Sequence, residues 1–163
     1  MKTLTQQLSQ YAAYHRDRRN VMTHFVGIPM IVLAAAILLA RPHVDIGGVS
    51  ISAAEVVAVV LGGYYVDLDR RYGFAMVVFL VLCVGIANSV AAGDQAIWLI
   101  WGVGLFVAGW IIQFVGHIFE GRKPAFFDDL MGLAIGPLFV MAEAGFLLGL
   151  RRDVQQAIAA RPE

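Results

Sequence analysis

One cysteine in 163 residues excludes an internal disulfide, and Cys83 alone cannot build a thiolate zinc or iron–sulfur site. Lying in an apolar run, it reads as a small packing residue. Charge is scarce as well: 15% of residues are Asp, Glu, Lys or Arg, and twelve cations offset twelve acids. There is no basic tail or stripe of the kind a phosphate backbone requires, so nucleic acid is excluded as a partner. Histidine is limited to four residues, too few for the paired HxxxH and HxxHH boxes of a membrane di-iron hydroxylase. No inverted repeat is apparent, which weighs against a transporter. The glycine clusters follow no strand and read as close helix packing, not phosphate loops. The opening MKTLTQQLSQYAAYHRDRRN is too polar for a signal peptide and has no small-residue cleavage site, so the first apolar run is expected to stay in the mature protein.

What is abundant is hydrophobicity. Sixty per cent apolar residues and a mean hydropathy of +0.74 describe an integral membrane protein, expected to be an all-α, polytopic helical bundle in one domain over 1–163. Residues 1–20 read as an interfacial helix starting at Thr3 or Thr5, with Leu4, Leu8 and Tyr11 along one side. Five membrane segments follow, at about 22–40, 46–66, 73–92, 96–119 and 130–150. Arg41-Pro42 stops the first, and HVDIGGVS reads as a polar loop. Glu55 interrupts the second, which closes on the charged turn YYVDLDRRYG. The fifth carries a Gly136-Pro137 break and an intramembrane Glu143 expected to be buried and paired.

The most informative stretch is Gly109 to Phe127, where an apolar helix acquires a polar stripe. Gln113, His117 and Glu120 follow at spacings of four and three, which a helix sets on one face. Intramembrane polar residues usually face a bundle interior or cavity, so the stripe is a candidate functional site. Gly121-Arg122-Lys123-Pro124 then ends the helix with two cations at its exit. Those cations read as topology-setting charges, or as a clamp for an anionic head group.

Orientation follows from the short loops. With the N-terminus inside and five full crossings, eight Lys and Arg lie inside and four outside. A break at Gly136-Pro137 would make the last segment re-entrant and improve the count to eleven against one; the expectation leans that way. Either way His24, Asp67, Asp69, His117 and Glu120 are expected at one cytoplasmic depth, with His15 just outside it and His43 on the opposite face. Compact, charge-neutral and without a recognisable sorting signal, the chain is expected in a bacterial inner membrane.

A single membrane histidine is more often a hydrogen-bonded interfacial residue than a ligand. Three at one depth beside carboxylates suit a non-haem Fe(II), Zn or Mn ion instead, since neutral imidazole binds such metals. The Asn20–His24 and Gln113–His117 pairs, four apart, offer second-shell or substrate hydrogen bonds. A haem held by His24 and His117, and a small membrane transporter or scaffold, are the competing readings.

Three blocks, YHRDRRNVMTHFVGIP (Tyr14 to Pro29), YYVDLDRRYG (Tyr64 to Gly73) and WIIQFVGHIFEGRKPA (Trp110 to Ala125) followed by GPLFVMAE (Gly136 to Glu143), resemble the Mpo1-like family over nearly the whole chain. The resemblance implies an Fe(II)-dependent dioxygenase that uses O₂ to carry out α-oxidation of 2-hydroxy fatty acids, shortening them by one carbon. It implies His15, His24 and His117 as iron ligands, with Asn20, Gln113, Glu120 and Arg122 as the matching polar neighbours. A 2-hydroxy carboxylate can chelate Fe(II) through both oxygens, so no organic cosubstrate is needed. The acyl chain would lie among the spans, in contact with membrane lipids.

Overall fold

The computed structural model describes residues 2–124 and 129–160. Ala125, Phe126 and Phe127, which close the polar stretch, and Arg161, counted for orientation, lie outside them. The elements run α1 (Leu4–Ala13), α2 (Arg18–Leu39), β1 (His43–Ile46), β2 (Val49–Ser52), α3 (Ala53–Leu68), α4 (Arg70–Ala91), α5 (Gln95–Glu120), α6 (Met131–Leu147) and α7 (Arg152–Ala159). The all-α expectation holds: α2, α4 and α5 are each long and apolar enough to cross a membrane, and the bent pair α6 and α7 would make a fourth span. Val81, Leu82, Ile100 and Ile118 lie exposed on these helices, as lipid-facing side chains do. The chain forms two compact units, Met1–Ile28 with Ile112–Glu163, and Pro29–Ile111, so α2 and α5 contribute to both.

In the second unit, the segment expected as a loop is a β-hairpin. Gly47 and Gly48 take φ of 61° and 84°, the paired positive values of the tight turn whose twist matches two antiparallel strands. The second apolar segment therefore starts at Ala53, not in the region of Ile46 to Ile51. Glu55 does not interrupt it. Its carboxylate accepts from the Ser52 N–H at 2.7 Å while Ser52 Oγ accepts from the Glu55 N–H at 3.2 Å, a capping box that starts α3.

Asp69 ends α3 and caps α4, accepting from the N–H groups of Arg71 and Tyr72, both at 2.9 Å. The two helices are antiparallel: Gly62 faces Val77, and Gly73 faces Tyr65 and Val66. A methyl on Gly73 would stand 2.5 Å from the Tyr65 carbonyl oxygen, so glycine sets this helix separation. Elsewhere in this unit Trp98 donates its indole N–H to the Ile37 carbonyl at 2.7 Å. Arg41 stacks over Trp98 and donates to the carbonyls of Ala91 and Gly93, which caps the end of α4.

In the first unit, Thr3 and Gln6 form a capping box at the start of α1. The helix ends at Ala13, not near residue 19, because Arg18 already begins α2. Its apolar side, Leu4, Leu8 and Tyr11, is buried, and α1 packs on α6 and α7. The expected break at Gly136-Pro137 is absent: α6 runs through Pro137 from Met131 to Leu147. Proline at that place removes one hydrogen bond, to the carbonyl of residue 133, without ending the helix. Gly136 serves a close approach instead, since a methyl there would lie 2.9 Å from the Tyr11 hydroxyl and 3.1 Å from Ile28 Cδ1. The chain turns later, through Gly149 (φ 73°) and Arg151 (φ 50°), and α7 leaves at 113°. Glu143, expected to be buried and paired, is half-buried with no hydrogen-bond or ion-pair partner among the described residues.

Gly73→Ala should therefore destabilise the protein by at least about 2 kcal/mol through overpacking of α3 on α4. Gly85→Ala, where an added methyl meets nothing within 4 Å, should be neutral or slightly stabilising. Thermal unfolding in detergent compares the two; equal melting temperatures would contradict the packing argument.

Candidate metal centre

His15 is placed by the C-terminal turn of α1. The backbone N–H groups of Tyr14 and His15 donate to the carbonyls of Tyr11 and Ala12, and the His15 ring stacks on Tyr11 with centroids 4.1 Å apart and planes 8° apart. Tyr11 in turn packs against Phe139 of α6 at 4.9 Å. The N-terminal helix thus folds back as a ligand at position 15 would need. His24 comes from α2 and His117 from the last turn of α5.

The three rings meet. Centroid separations are 4.4 Å (His15–His24), 5.1 Å (His15–His117) and 5.2 Å (His24–His117), with planes inclined by 67–76°. One ring nitrogen from each lies within 4.8 Å of the other two, and all three residues are buried. Two tautomers are fixed by the backbone. His15 Nδ1–H donates to the Tyr11 carbonyl at 2.7 Å, and His24 Nδ1–H donates to the Asn20 carbonyl at 2.8 Å. A carbonyl can only accept, so each Nδ1 carries the proton and each Nε2 keeps its lone pair. Burial pushes the His15 imidazole down to about 4, against the pull of its Tyr11 hydrogen bond, which keeps it neutral.

Glu120 ties this arrangement together. Its Oε1 accepts from the Arg16 N–H at 2.9 Å, and its Oε2 accepts from the Asp17 N–H at 2.9 Å and from Asn20 Nδ2 at 3.0 Å. With both oxygens engaged in hydrogen bonds, Glu120 braces the turns that carry the histidines. Asn20 lies between, holding His24 through its carbonyl and Glu120 through its amide; the Asn20–His24 spacing acts through the main chain, not through the side chain. Gly116 allows α5 to approach α2, because a methyl there would collide with Thr23 Oγ1 and Asn20 Oδ1.

Gln113 is buried one turn before His117. Arg122 lies exposed and donates at 3.4 Å to the carbonyl of Ala13, the last residue of α1. Asp67 and Asp69, expected to join the histidines, belong to the other compact unit, where Asp69 caps α4. His43 is exposed on β1, its Nδ1 bonded to the Arg41 carbonyl. The sequence reading missed Tyr11 and Phe139, which pack the His15 ring. The Tyr11–His15 spacing of four repeats that of Asn20–His24, and would have pointed to Tyr11.

Several buried polar atoms of this site have no protein hydrogen-bond partner among the described residues: His15 Nε2, His117 Nδ1, Asn20 Oδ1 and both amide atoms of Gln113. Neutral, converging imidazoles with a free lone pair fit a borderline divalent ion such as Fe(II), Zn or Mn.

Fold and site together define a helical protein with membrane-length spans and a buried three-histidine centre. The chain belongs to the Mpo1-like family, described as 2-hydroxy-palmitic acid dioxygenase Mpo1-like, whose profile matches residues 1–147. It is similar to 2-hydroxy-palmitic acid dioxygenase MPO1 of Saccharomyces cerevisiae, 35% identical over 150 residues that cover 90% of this chain and 82% of the yeast protein. No solved structure matches.

Removing the Glu120 carboxylate leaves two backbone N–H groups and one amide unpaired. Glu120→Ala should therefore lower stability by about 2–3 kcal/mol, with the helical circular-dichroism signal of the folded state retained. Arg122→Ala, which removes one long exposed contact, should stay within about 0.5 kcal/mol of wild type. A similar melting shift for both would remove Glu120 from its bracing role.

Proposed function

We propose that this chain is a membrane-embedded Fe(II)-dependent dioxygenase that converts 2-hydroxy fatty acids to acids one carbon shorter. The observation that carries this reading is the convergence of His15, His24 and His117, one nitrogen from each within 4.8 Å of the others, in a chain of this family. The overall change balances without an organic cosubstrate: R–CH(OH)–COOH and O₂ give R–COOH, CO₂ and H₂O.

His15, His24 and His117 would hold the iron, which when bound supplies a redox centre for O₂ and the 2-hydroxy acid. The chain's own residues prepare the place. The carbonyls of Tyr11 and Asn20 hold two rings in the ligating tautomer, and Glu120 keeps the start of α2 against the end of α5. All three rings are buried, which favours their neutral use as ligands over solvent-exposed imidazoles. The cluster favours this over a haem held by His24 and His117 alone, a reading that leaves His15 without a role. Here a nitrogen of His15 lies within 4.8 Å of those of His24 and His117.

We also place the centre at the cytoplasmic face of a bacterial inner membrane. Arg16, Arg18, Arg19, Arg122 and Lys123 flank the histidine-bearing ends of α2 and α5, as the positive-inside rule requires. Cysteines introduced at positions 2 and 43 should be labelled from opposite sides, and labelling of both from one side would reverse that assignment.

His24→Ala and His117→Ala should be expressed and folded but metal-poor, and should take up no O₂ with 2-hydroxypalmitate. His43→Ala should match wild type in both respects. Elemental analysis and oxygen-electrode measurements decide; full iron occupancy in the His24→Ala, His117→Ala double variant would refute the centre.

A further inference from the structure

Gln113 is 4% exposed, and neither its Oε1 nor its Nε2 has a protein partner among the described residues. A primary amide left unpaired in the interior is unfavourable, so such a group is informative where it occurs. Its position in the fold narrows what it could meet. Gln113 precedes His117 by one turn on the same face of α5, about 10 Å in from the helix end at a rise of about 1.5 Å per residue. On its other flank is Gly116, where a methyl would lie 2.6 Å from the unpaired Asn20 Oδ1. A buried donor–acceptor pair thus sits between the histidine centre and the apolar length of α5.

We propose that Gln113 reads the 2-hydroxyl of the substrate, an inference that rests on the function proposed above. The amide offers an acceptor oxygen and, on its NH₂ nitrogen, two donor hydrogens. Oε1 accepts a hydrogen bond from the hydroxyl of the 2-hydroxy acid, and Nε2 donates one to a carboxylate oxygen. A fatty acid without the hydroxyl leaves Oε1 buried and unpaired, and a site built in this way discriminates strongly against the analogue that lacks the group. Gln113 is then the residue that distinguishes a 2-hydroxy acid from the unsubstituted fatty acids that fill a membrane.

The test compares binding of 2-hydroxypalmitate and palmitate to the full-length protein, loaded with redox-inert Zn²⁺, in wild type and Gln113→Leu. Wild type should prefer the hydroxy acid, and the variant should lose that preference by at least about tenfold. Metal content should not change, and the melting temperature should stay level or rise, because an unpaired buried amide has been replaced by an apolar side chain. Gln113→Met, unbranched like glutamine, serves if the leucine variant fails to fold. A preference that survives in the variants overturns the assignment of Gln113 alone. So does a loss of metal to the level of His117→Ala, or a marked fall in melting temperature. A wild type that binds the two acids equally overturns the proposed substrate and this inference with it.

Discussion

The site depends on one carboxylate. Glu120, at the last position of α5, accepts from two main-chain N–H groups just ahead of α2 and from the Asn20 amide in its first turn. The donors at a helix start lack intrahelical partners, and the positive end of the macrodipole favours an anion there. Asp17 caps α2 locally, accepting from the Arg19 N–H at 2.8 Å, and Glu120 adds, from a distant part of the chain, acceptors for the N–H groups of Arg16 and Asp17 just ahead of it. The consequence is positional. The linker carrying His15, the second turn of α2 carrying His24 and the last turn of α5 carrying His117 are all referred to the same two oxygen atoms.

Close helix approach completes what that tie begins. Gly116 brings α5 against Thr23 and Asn20 of α2, and Gly136 brings α6 against Tyr11 and Ile28. Gly136 reads in the sequence as part of a break, and neither glycine's position says which helix it admits. The approach has an electrostatic effect, because it buries three imidazoles together. For His15, on the linker outside the spans, that burial favours the neutral imidazole. The three-histidine cluster and a closely packed helix crossing are here the same arrangement.

Side chains of the same type serve differently according to their partners. Glu120 braces the histidine centre, whereas Glu55 closes a capping box with Ser52 and Glu143 has no hydrogen-bond or ion-pair partner among the described residues. Arg41 terminates α4 by binding its carbonyls and stacks on Trp98, so its role is structural even though it is a cation at the end of a membrane-length helix. His43 is exposed on a hairpin, while the other three histidines are buried. In an apolar chain, which partner a polar residue has, and whether it has one at all, separates structural roles from chemical ones.

By itself the sequence determined the helical class and the existence of long apolar helices. These follow from composition and from uninterrupted runs, which are local properties. It also determined that His15, His24 and His117, and not His43, were the histidines to consider, through their place at the polar ends of those runs and through motifs quoted residue by residue. Where the sequence misled, a local signal had two physical outcomes. A glycine pair read as loop forms a hairpin turn, a glutamate read as an interruption is a cap, and a Gly-Pro pair read as a break is a packing notch inside a helix. Only the tertiary structure decided that three rings carried by segments up to about a hundred residues apart meet at one point, and that Glu120 holds them there. The reason is that hydrogen bonds such as Arg16–Glu120 and contacts such as Gly116–Thr23 join positions remote in the chain, and periodicity carries no information about which remote residue a side chain will face.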